Sequence, residues 1–549
     1  MKLKLRQFLM VVRKILKWML KVLKKLGKLL LKLLKKVKIS SLLTFVFFTL
    51  ALVIYYVTNY INESFSNVTV DQLLYSLQSA EGTSSTIITD GTVYVLKHVW
   101  PIYLIILIVI IISKIFIKHK TYLKIFVKNK EFKFSLFPIS RFIRVLITFI
   151  LWLFSLNYVY IEFNLANYFD TNRKTNLFST YYMDPNNIKI TAPENKKNLI
   201  YIYVESLETS MLSNENGGNF EESVMPNLEE IAQNNVNFSM NNKLGGAYNA
   251  YGSTWTVASM VASSSGVPLK LPIDGNLYSG YGSFLPGVYS LGEILEDNGY
   301  NNYLMIGSDA NFGGRKDYFT YHGDYEIKDY NYAKEKGYID DDYYVWWGYE
   351  DGKLFEFAKE ELTQISQSDE PFNFTMLTTD THFTDGYVED TCDTPYDYKY
   401  LNAYNCTDSI IGEFMDWLEQ QDFYKDTVIV ITGDHLSMQA NISTMFDKDK
   451  YERRVYNTYI NSEVKPVNSK NRIFTTFDYY PTTLAALGFN IDGNRLGLGT
   501  NLFSSRQTLA EELGGLDKLD DELSKNSQYY NNQLLGNSYK KLKEAVASD

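Results

Sequence analysis

Two cysteines and five histidines are all that this 549-residue chain contains of those residue types. With cysteine confined to Cys392 and Cys406, covalent cross-linking stops at one disulfide; the alternative is a pair of free thiols. Histidine is scarce enough that an imidazole beside a carboxylate stands out. Acid is missing altogether from residues 1–40, which hold 14 Lys/Arg and no Asp or Glu. The rest of the chain carries 40 basic against 63 acidic side chains, a balance of −23 inside a net charge of −9. A basic end on an otherwise acidic chain points to anionic lipid and away from nucleic acid. The charged stretch is also far too long for the start of a signal peptide. No internal repeat or low-complexity block is present, which removes the repeat architectures.

What is there begins at the membrane. Residues 1–40 space Lys14, Lys17, Lys21, Lys24, Lys25, Lys28, Lys32, Lys35 and Lys36 on one side of a helix, with Ile15, Met19, Val22, Leu26, Leu29 and Leu33 on the other. That pattern predicts a cytoplasmic basic amphipathic helix lying on the inner leaflet. Residues 41–164 contain three apolar runs, about Ser41–Tyr60, Trp100–Ile117 and Phe142–Tyr160. Each can cross a hydrocarbon core of ~30 Å as a helix of roughly 20 residues. The loop before the second run carries Glu63, Asp71, Glu81 and Asp90, whereas the loop after it is crowded with Lys118, Lys120, Lys124, Lys128, Lys130, Lys133, Arg141 and Arg144. The positive-inside rule then puts the N-terminus inside and everything after Asn164 outside, in a multi-pass cell-membrane protein.

Residues 165–196 read as a polar linker, 197–505 as an extracellular domain and 506–549 as a charged, peripheral tail. Strand-like segments at Asn198–Val204, Asn302–Ile306, Phe372–Leu377 and Thr427–Thr432 alternate with helical stretches at Gly287–Asn298, Lys353–Ser366 and Thr407–Gln420. Alternation of that kind predicts a doubly wound, largely parallel α/β fold. In such a sheet, functional groups collect where strands end. Glu205 follows the first strand, His382 follows Phe372–Leu377, and Asp434-His435 follow the last strand through Gly433. A carboxylate next to an imidazole supplies an oxygen and a nitrogen donor for a metal. His382 is a candidate acid/base or phosphate contact. Gly313-Gly314-Arg315 lets backbone approach a ligand and offers a guanidinium fork to an anion. The stretch Gly245–Met260 brings a glycine-bearing loop, with Ser253 and Thr254, to the start of a small-residue helix that ends near Gly266. A hydroxyl there sits among unpaired N–H groups and the positive end of the helix dipole, a place to hold a phosphate and to activate an alkoxide. Thr256 reads as an ordinary helix residue.

Four stretches carry a family likeness: Tyr201-Ile202-Tyr203-Val204-Glu205-Ser206-Leu207-Glu208, Trp255-Thr256-Val257-Ala258-Ser259-Met260-Val261-Ala262-Ser263, Asp380-Thr381-His382 and Gly433-Asp434-His435-Leu436-Ser437-Met438. With them the chain resembles the lipoteichoic acid synthase and phosphoglycerol transferase family of the sulfatase/alkaline phosphatase superfamily, and within it the transferases that decorate periplasmic glucans. The resemblance implies a metal site of Glu205, Asp434, His435 and a nucleophilic hydroxyl, with one divalent cation, Mn2+ by family analogy and Mg2+ or Zn2+ as alternatives. It implies substrate contacts at His382 and Arg315, and a Cys392–Cys406 disulfide. The family nucleophile is a threonine. Counting back from Gly266-Val267-Pro268 puts that register on Ser253, residue type favours Thr254, and both stay open. The implied reaction moves glycerol phosphate from phosphatidylglycerol to a cell-envelope glycan or teichoic-acid-type acceptor through a covalent phospho-enzyme. Phosphoethanolamine transfer, phosphodiester hydrolysis and an inactive membrane-anchored glycan-binding protein are the rival readings.

Overall fold

A computed structural model describes residues 39–64, 70, 85–116, 122–127, 130–135, 140–166, 173–270, 284–439, 442–445 and 451–536. The basic segment 1–38 lies outside the described residues, as does 537–549. The chain divides into two compact units, one formed by residues up to Tyr60 with Thr89–Glu162, the other by Ile61–Ile88 with Phe163–Asp549.

The first unit contains most of helices α1 (Ile39–Ser64) and α2 (Ser85–Phe116) and all of α3 (Arg141–Glu162). Three stretches, Ile39–Ser64, Thr89–Ile112 and Arg141–Glu162, are long and apolar enough to cross a membrane. The second begins well before Trp100, because Thr92–Leu96 extend the helix and its few polar groups find partners. Polar handles tie the helices together where apolar surface alone gives no direction. Ser155 Oγ donates to Ala51 O at 2.9 Å, Trp152 Nε1 to Phe47 O at 2.9 Å, and Asn59 Nδ2 to Tyr94 OH at 2.7 Å. The basic loop expected between the second and third runs holds an antiparallel hairpin, β1 (Tyr122–Val127) and β2 (Lys130–Ser135).

The second unit is built on a seven-stranded sheet. Its strands are β3 (Asn198–Val204), β4 (Gly246–Ala247), β5 (Asn301–Ile306), β6 (Glu326–Lys328), β7 (Phe372–Leu377), β8 (Thr427–Gly433) and β9 (Val455–Ile460), in the order β4-β9-β8-β3-β7-β5-β6. From β8 to β6 all neighbours are parallel; β9 is antiparallel to both β8 and β4. Side chains alternate between faces along a strand, so a sheet covered on both sides needs apolar residues at every position. Leu199, Tyr201, Tyr203, Val428 and Val430 join one core, against α5 (Thr256–Ser265), α6 (Leu291–Asp297), α7 (Arg315–Tyr321) and α10 (Tyr479–Ala486). Ile200, Ile202, Val204, Ile429 and Ile431 join the other, against α4 (Pro226–Asn234), α8 (Asp351–Ile365) and α9 (Lys399–Glu419). The doubly wound α/β fold expected from the alternation is what the chain forms.

Parts of the segments read as a polar linker and as a peripheral tail pack into this core. In the expected linker, Leu177 and Phe178 are buried and Ile190–Thr191 pairs with Asn490–Ile491. In the expected tail, Leu509, Leu519, Leu523, Tyr530 and Leu534 are buried, and Arg472 and Arg495 pair with Glu511 and Glu512. Leu519 and Leu523 lie four residues apart on one helix face, a spacing that the surrounding charge obscures. Cys392 and Cys406 are joined in a disulfide, which leaves no free cysteine.

Candidate active site

Four chain segments deliver the site, three from strand ends and one from a helix start. β3 and β8 are hydrogen-bonded neighbours in parallel register, Val204 opposite Gly433, so both end at the same edge. Gly433 is what lets them meet: a Cβ there would lie 1.9 Å from Leu207 O. Ser206 turns the chain with φ +57°, and its N–H reaches Asp434 Oδ1 at 2.7 Å. Ser206 Oγ donates to Glu205 Oε1 at 2.8 Å. The loop after β7 closes over the same turn. Thr378 Oγ1 accepts the Glu205 N–H at 3.0 Å and Thr381 Oγ1 donates to Glu205 O at 2.5 Å.

His435 Nδ1 lies 2.9 Å from Leu436 O, a contact that needs the ring hydrogen on Nδ1 and leaves the Nε2 lone pair free. Nε2 faces Glu205 Oε1 at 3.4 Å, Asp434 Oδ2 at 3.4 Å and Thr256 Oγ1 at 3.4 Å. Thr256 Oγ1 also donates to Glu205 Oε2 at 3.3 Å. Glu205, Asp434 and His435 are all buried, and one ligand atom from each falls within 4.8 Å of the others. Asp434 Oδ2 is buried with no hydrogen-bond donor to satisfy it. Burial, with the charge of Glu205 added, pushes the Asp434 carboxyl up to about 7. Burial opposes charging of His435, but the carboxylates of Asp434 and Glu205 outweigh it and raise the imidazole.

Thr256 is the first residue of α5, behind the extended Trp255 at φ −143°, ψ 161°. Thr256 is half-buried, and its hydroxyl stands at the positive end of a ten-residue helix. This corrects the expectation for Ser253 and Thr254. Ser253 is fully buried one turn earlier, where its Oγ donates to Ala250 O at 2.8 Å and its N–H binds the same carbonyl. Thr254 Oγ1 is buried without a partner. The helix begins at Thr256, so counting back from Gly266 to Ser253 overshoots it by three residues. A Trp-Thr pair at the very start of the helical run was the signal available in the sequence.

His382 lies on the loop after β7, its ring 4.6 Å from the Trp347 ring and 4.4 Å from that of Phe383. Nδ1 sits 2.6 Å from Phe383 O, so it carries the hydrogen and Nε2 is an acceptor. Burial lowers the imidazole to about 4, with the charges of His435 and Arg315 adding to the effect and Asp434 opposing it. That favours a neutral base over a donor. Arg315 is buried and spends Nε on Phe312 O (2.9 Å) and Nη2 on Ser308 Oγ (3.2 Å) and Asp309 O (2.9 Å). These bonds fix its own loop, a duty the sequence did not disclose. Asn249 was also missed. Its Nδ2 donates to Ser253 O at 3.1 Å and its Oδ1 accepts the Leu436 N–H at 2.8 Å, joining the loop before Thr256 to the loop after His435.

The sequence profile of the family described as Sulfatase matches residues 197–489, more than half of the chain. The protein belongs to the sulfatase family. Among curated relatives, it is 32% identical over 323 residues to phosphoglycerol transferase I of Xanthomonas campestris pv. campestris (strain B100), covering 57% of this chain and 43% of that one. It is 32% identical over 343 residues to phosphoglycerol transferase I of Escherichia coli (strain 55989 / EAEC), covering 61% of this chain and 42% of that one. The chain thus spans less than half the length of these relatives. Among solved structures, the lipoteichoic acid synthase LtaP from Listeria monocytogenes aligns with TM-score 0.44 and 19% identity over 58% of this chain and 79% of that one. The phosphoethanolamine transferase EptA from Neisseria meningitidis aligns with TM-score 0.45 and 13% identity over 80% of this chain and 83% of that one.

The sulfatase-superfamily fold implies a divalent metal, and these residues fit one. Two carboxylates, an imidazole lone pair and a hydroxyl converge, with Asp434 Oδ2 lacking any donor. The donor atoms lie close together, with Thr256 Oγ1 and His435 Nε2 each 3.3–3.4 Å from a Glu205 oxygen and His435 Nε2 3.4 Å from Asp434 Oδ2, near enough for one cation to be shared among them.

Proposed function

We propose that this protein is a membrane-anchored phosphoglycerol transferase that moves glycerol phosphate from phosphatidylglycerol to a cell-envelope glycan or teichoic-acid-type acceptor. The observation that carries the reading is the Thr256 hydroxyl at the start of α5, 3.3 Å from Glu205 and 3.4 Å from His435. The curated relatives named phosphoglycerol transferase I support the choice of head group.

Glu205, Asp434, His435 and Thr256 would hold a divalent cation, Mn2+ in this reading, which would lower the hydroxyl pKa and offset phosphodiester charge. Glu205 Oε2 orients the Thr256 hydroxyl, and the N–H groups at the start of α5 face the phosphoryl oxygens. In the first displacement the Thr256 Oγ–P bond forms as the bond from phosphorus to the diacylglycerol oxygen breaks. The departing oxygen takes up the proton that the threonine gives up. In the second displacement an acceptor hydroxyl attacks phosphorus and passes its proton to His382 Nε2 as the Thr256 Oγ–P bond breaks, and that proton then returns to the Thr256 oxygen. In this reading the catalytic domain is outside the cell and the three apolar helices anchor the chain in the membrane that contains the donor lipid.

Membranes containing the full chain, given phosphatidylglycerol labelled in its head group, test this directly. Label should pass to envelope polysaccharide and unlabelled diacylglycerol should accumulate. Equal or better transfer from head-group-labelled phosphatidylethanolamine would reassign the donor, and label released only as free glycerol phosphate would make the protein a phosphodiesterase.

A further inference from the structure

Behind the His382 loop lies a second carboxyl arrangement that the metal cluster does not use. Asp351 is the first residue of α8 and is completely buried. Its Oδ1 accepts the N–H of Thr379 at 2.7 Å, and its Oδ2 accepts the N–H of Asp380 at 3.2 Å and the Thr407 hydroxyl at 3.2 Å. Asp380, also completely buried, returns the bond: its Oδ2 accepts the Asp351 N–H at 3.1 Å. The two residues thus exchange backbone hydrogen bonds through their side chains, fastening the start of α8 to the turn after β7. That turn is short. Thr378 and Thr381, which bracket the fastened pair, grip the main chain of Glu205 from either side. The next residue is His382, whose N–H closes the turn on Thr379 O at 3.0 Å.

We propose that Asp351 is a positioning residue for phosphoryl transfer: by holding the Thr379–Asp380 turn it sets His382 against the phosphorus and Glu205 against Thr256. This rests on the phosphotransferase reading above. Asp351 acts at a distance through backbone, since its own oxygens are occupied by the turn and by Thr407. The charged groups around the pair are chiefly acidic: Glu389 acts on both Asp351 and Asp380, Glu350 acts on Asp380 and Glu389, and Lys353 offsets Glu389. Burial raises Asp351 to about 7 and Asp380 well above its ordinary value, with the charge of Glu389 adding to the effect on both. A protonated pair tolerates burial where two carboxylates would repel. Asp380 Oδ1 has no donor of its own.

The experiment compares Asp351→Asn with wild type in full-length, detergent-solubilised, Mn2+-loaded protein, at a temperature well below the melting point of both. Asparagine keeps the shape but turns an amide toward the Asp380 N–H. A displacement of the order of 1 Å at a reacting group costs about 100-fold, so kcat should fall between about 10- and 100-fold with KM within about twofold. A merely structural role would leave kcat per folded molecule unchanged, and a loss under threefold overturns the proposal. Thr407→Val, a near-isosteric change on α9 that removes one bond to Asp351, keeps the test open if Asp351→Asn does not fold. It should lower kcat about three- to fivefold at unchanged KM, and no loss would again overturn the proposal. Thr256→Ala is run alongside. If it transfers like wild type, the phosphotransferase reading itself fails; if it is dead while both other variants are fully active, only the positioning role fails.

Discussion

Replacing the three hydroxyls near the start of α5 one at a time separates the attacking group from its neighbours, because the structure gives each a different fate. Thr256→Ala removes the only one of the three in reach of Glu205 and His435. Loss of a nucleophile leaves what binding and electrostatics supply unaided, so transfer should fall by about 10⁴-fold or more. Ser253→Ala removes one side-chain hydrogen bond to Ala250 O, while the backbone N–H still satisfies that carbonyl. The cost is about 1 kcal/mol, or a melting shift of about 2–4 °C in a domain of this size class, with transfer changed less than about threefold. Thr254→Val deletes a buried hydroxyl that has no partner and should be neutral or slightly stabilising. The assay is release of diacylglycerol from phosphatidylglycerol by purified full-length variants, with melting followed in parallel. Wild-type release by Thr256→Ala, or abolished release by folded Ser253→Ala or Thr254→Val, would refute the placement of the nucleophile.

Chelation should abolish transfer and lower the melting temperature, and Mn2+ should restore both. Asp434→Asn should prevent restoration at any Mn2+ concentration that rescues wild type. His382→Ala should leave formation of the Thr256 adduct within about tenfold of wild type but slow its discharge to acceptor by 10²–10⁴-fold, the range for a proton-transfer group; equal slowing of both steps would contradict a role confined to the second. The raised carboxyls of Asp351 and Asp380 bind a proton more tightly folded than unfolded, so their stability contribution is complete below the unfolded carboxylate range and is lost as pH rises through about 7. Thermal melts should therefore decline from pH 5 to pH 8 and decline less in Asp380→Asn; parallel curves would reject this. Cys392→Ser opens a loop of 14 residues in sequence separation, costing about 3 kcal/mol, and should lower the melting temperature by several degrees while wild type under reductant does the same.

Much of the fold was legible because the parallel strands are uninterrupted apolar runs. β3, β7 and β8 read correctly, and so did the placement of Glu205, Asp434 and His435 at strand ends. β9 did not, because Asn457 and Thr458 interrupt its pattern; the structure shows Asn457 accepting the Phe238 N–H and donating to Phe238 O, a tertiary exchange invisible in a local window. The stretch around 507–536 was misjudged for a related reason: its charges are counted easily, whereas the ion pairs of Arg472 and Arg495 that bring it onto the core connect distant residues. Thr256 was assigned to the helix and thereby set aside, although the first residue of a helix is where a hydroxyl faces outward along the axis. Ser253 and Thr254 fit better on register and residue type, and only the tertiary partners of each hydroxyl separate the three. The disulfide was named from the resemblance, and neither cysteine shows a local sign of its partner.

The central claim is that Thr256 carries the phosphoryl group while Glu205, Asp434 and His435 gather around it. The most direct measurement is peptide mass mapping of the full-length, Mn2+-loaded protein quenched with acid during turnover on phosphatidylglycerol. The account predicts a glycerol-phosphate adduct on the Thr256 hydroxyl, absent from Asp434→Asn. An adduct on Ser253 or Thr254, or steady transfer with no adduct at any time point, would contradict it.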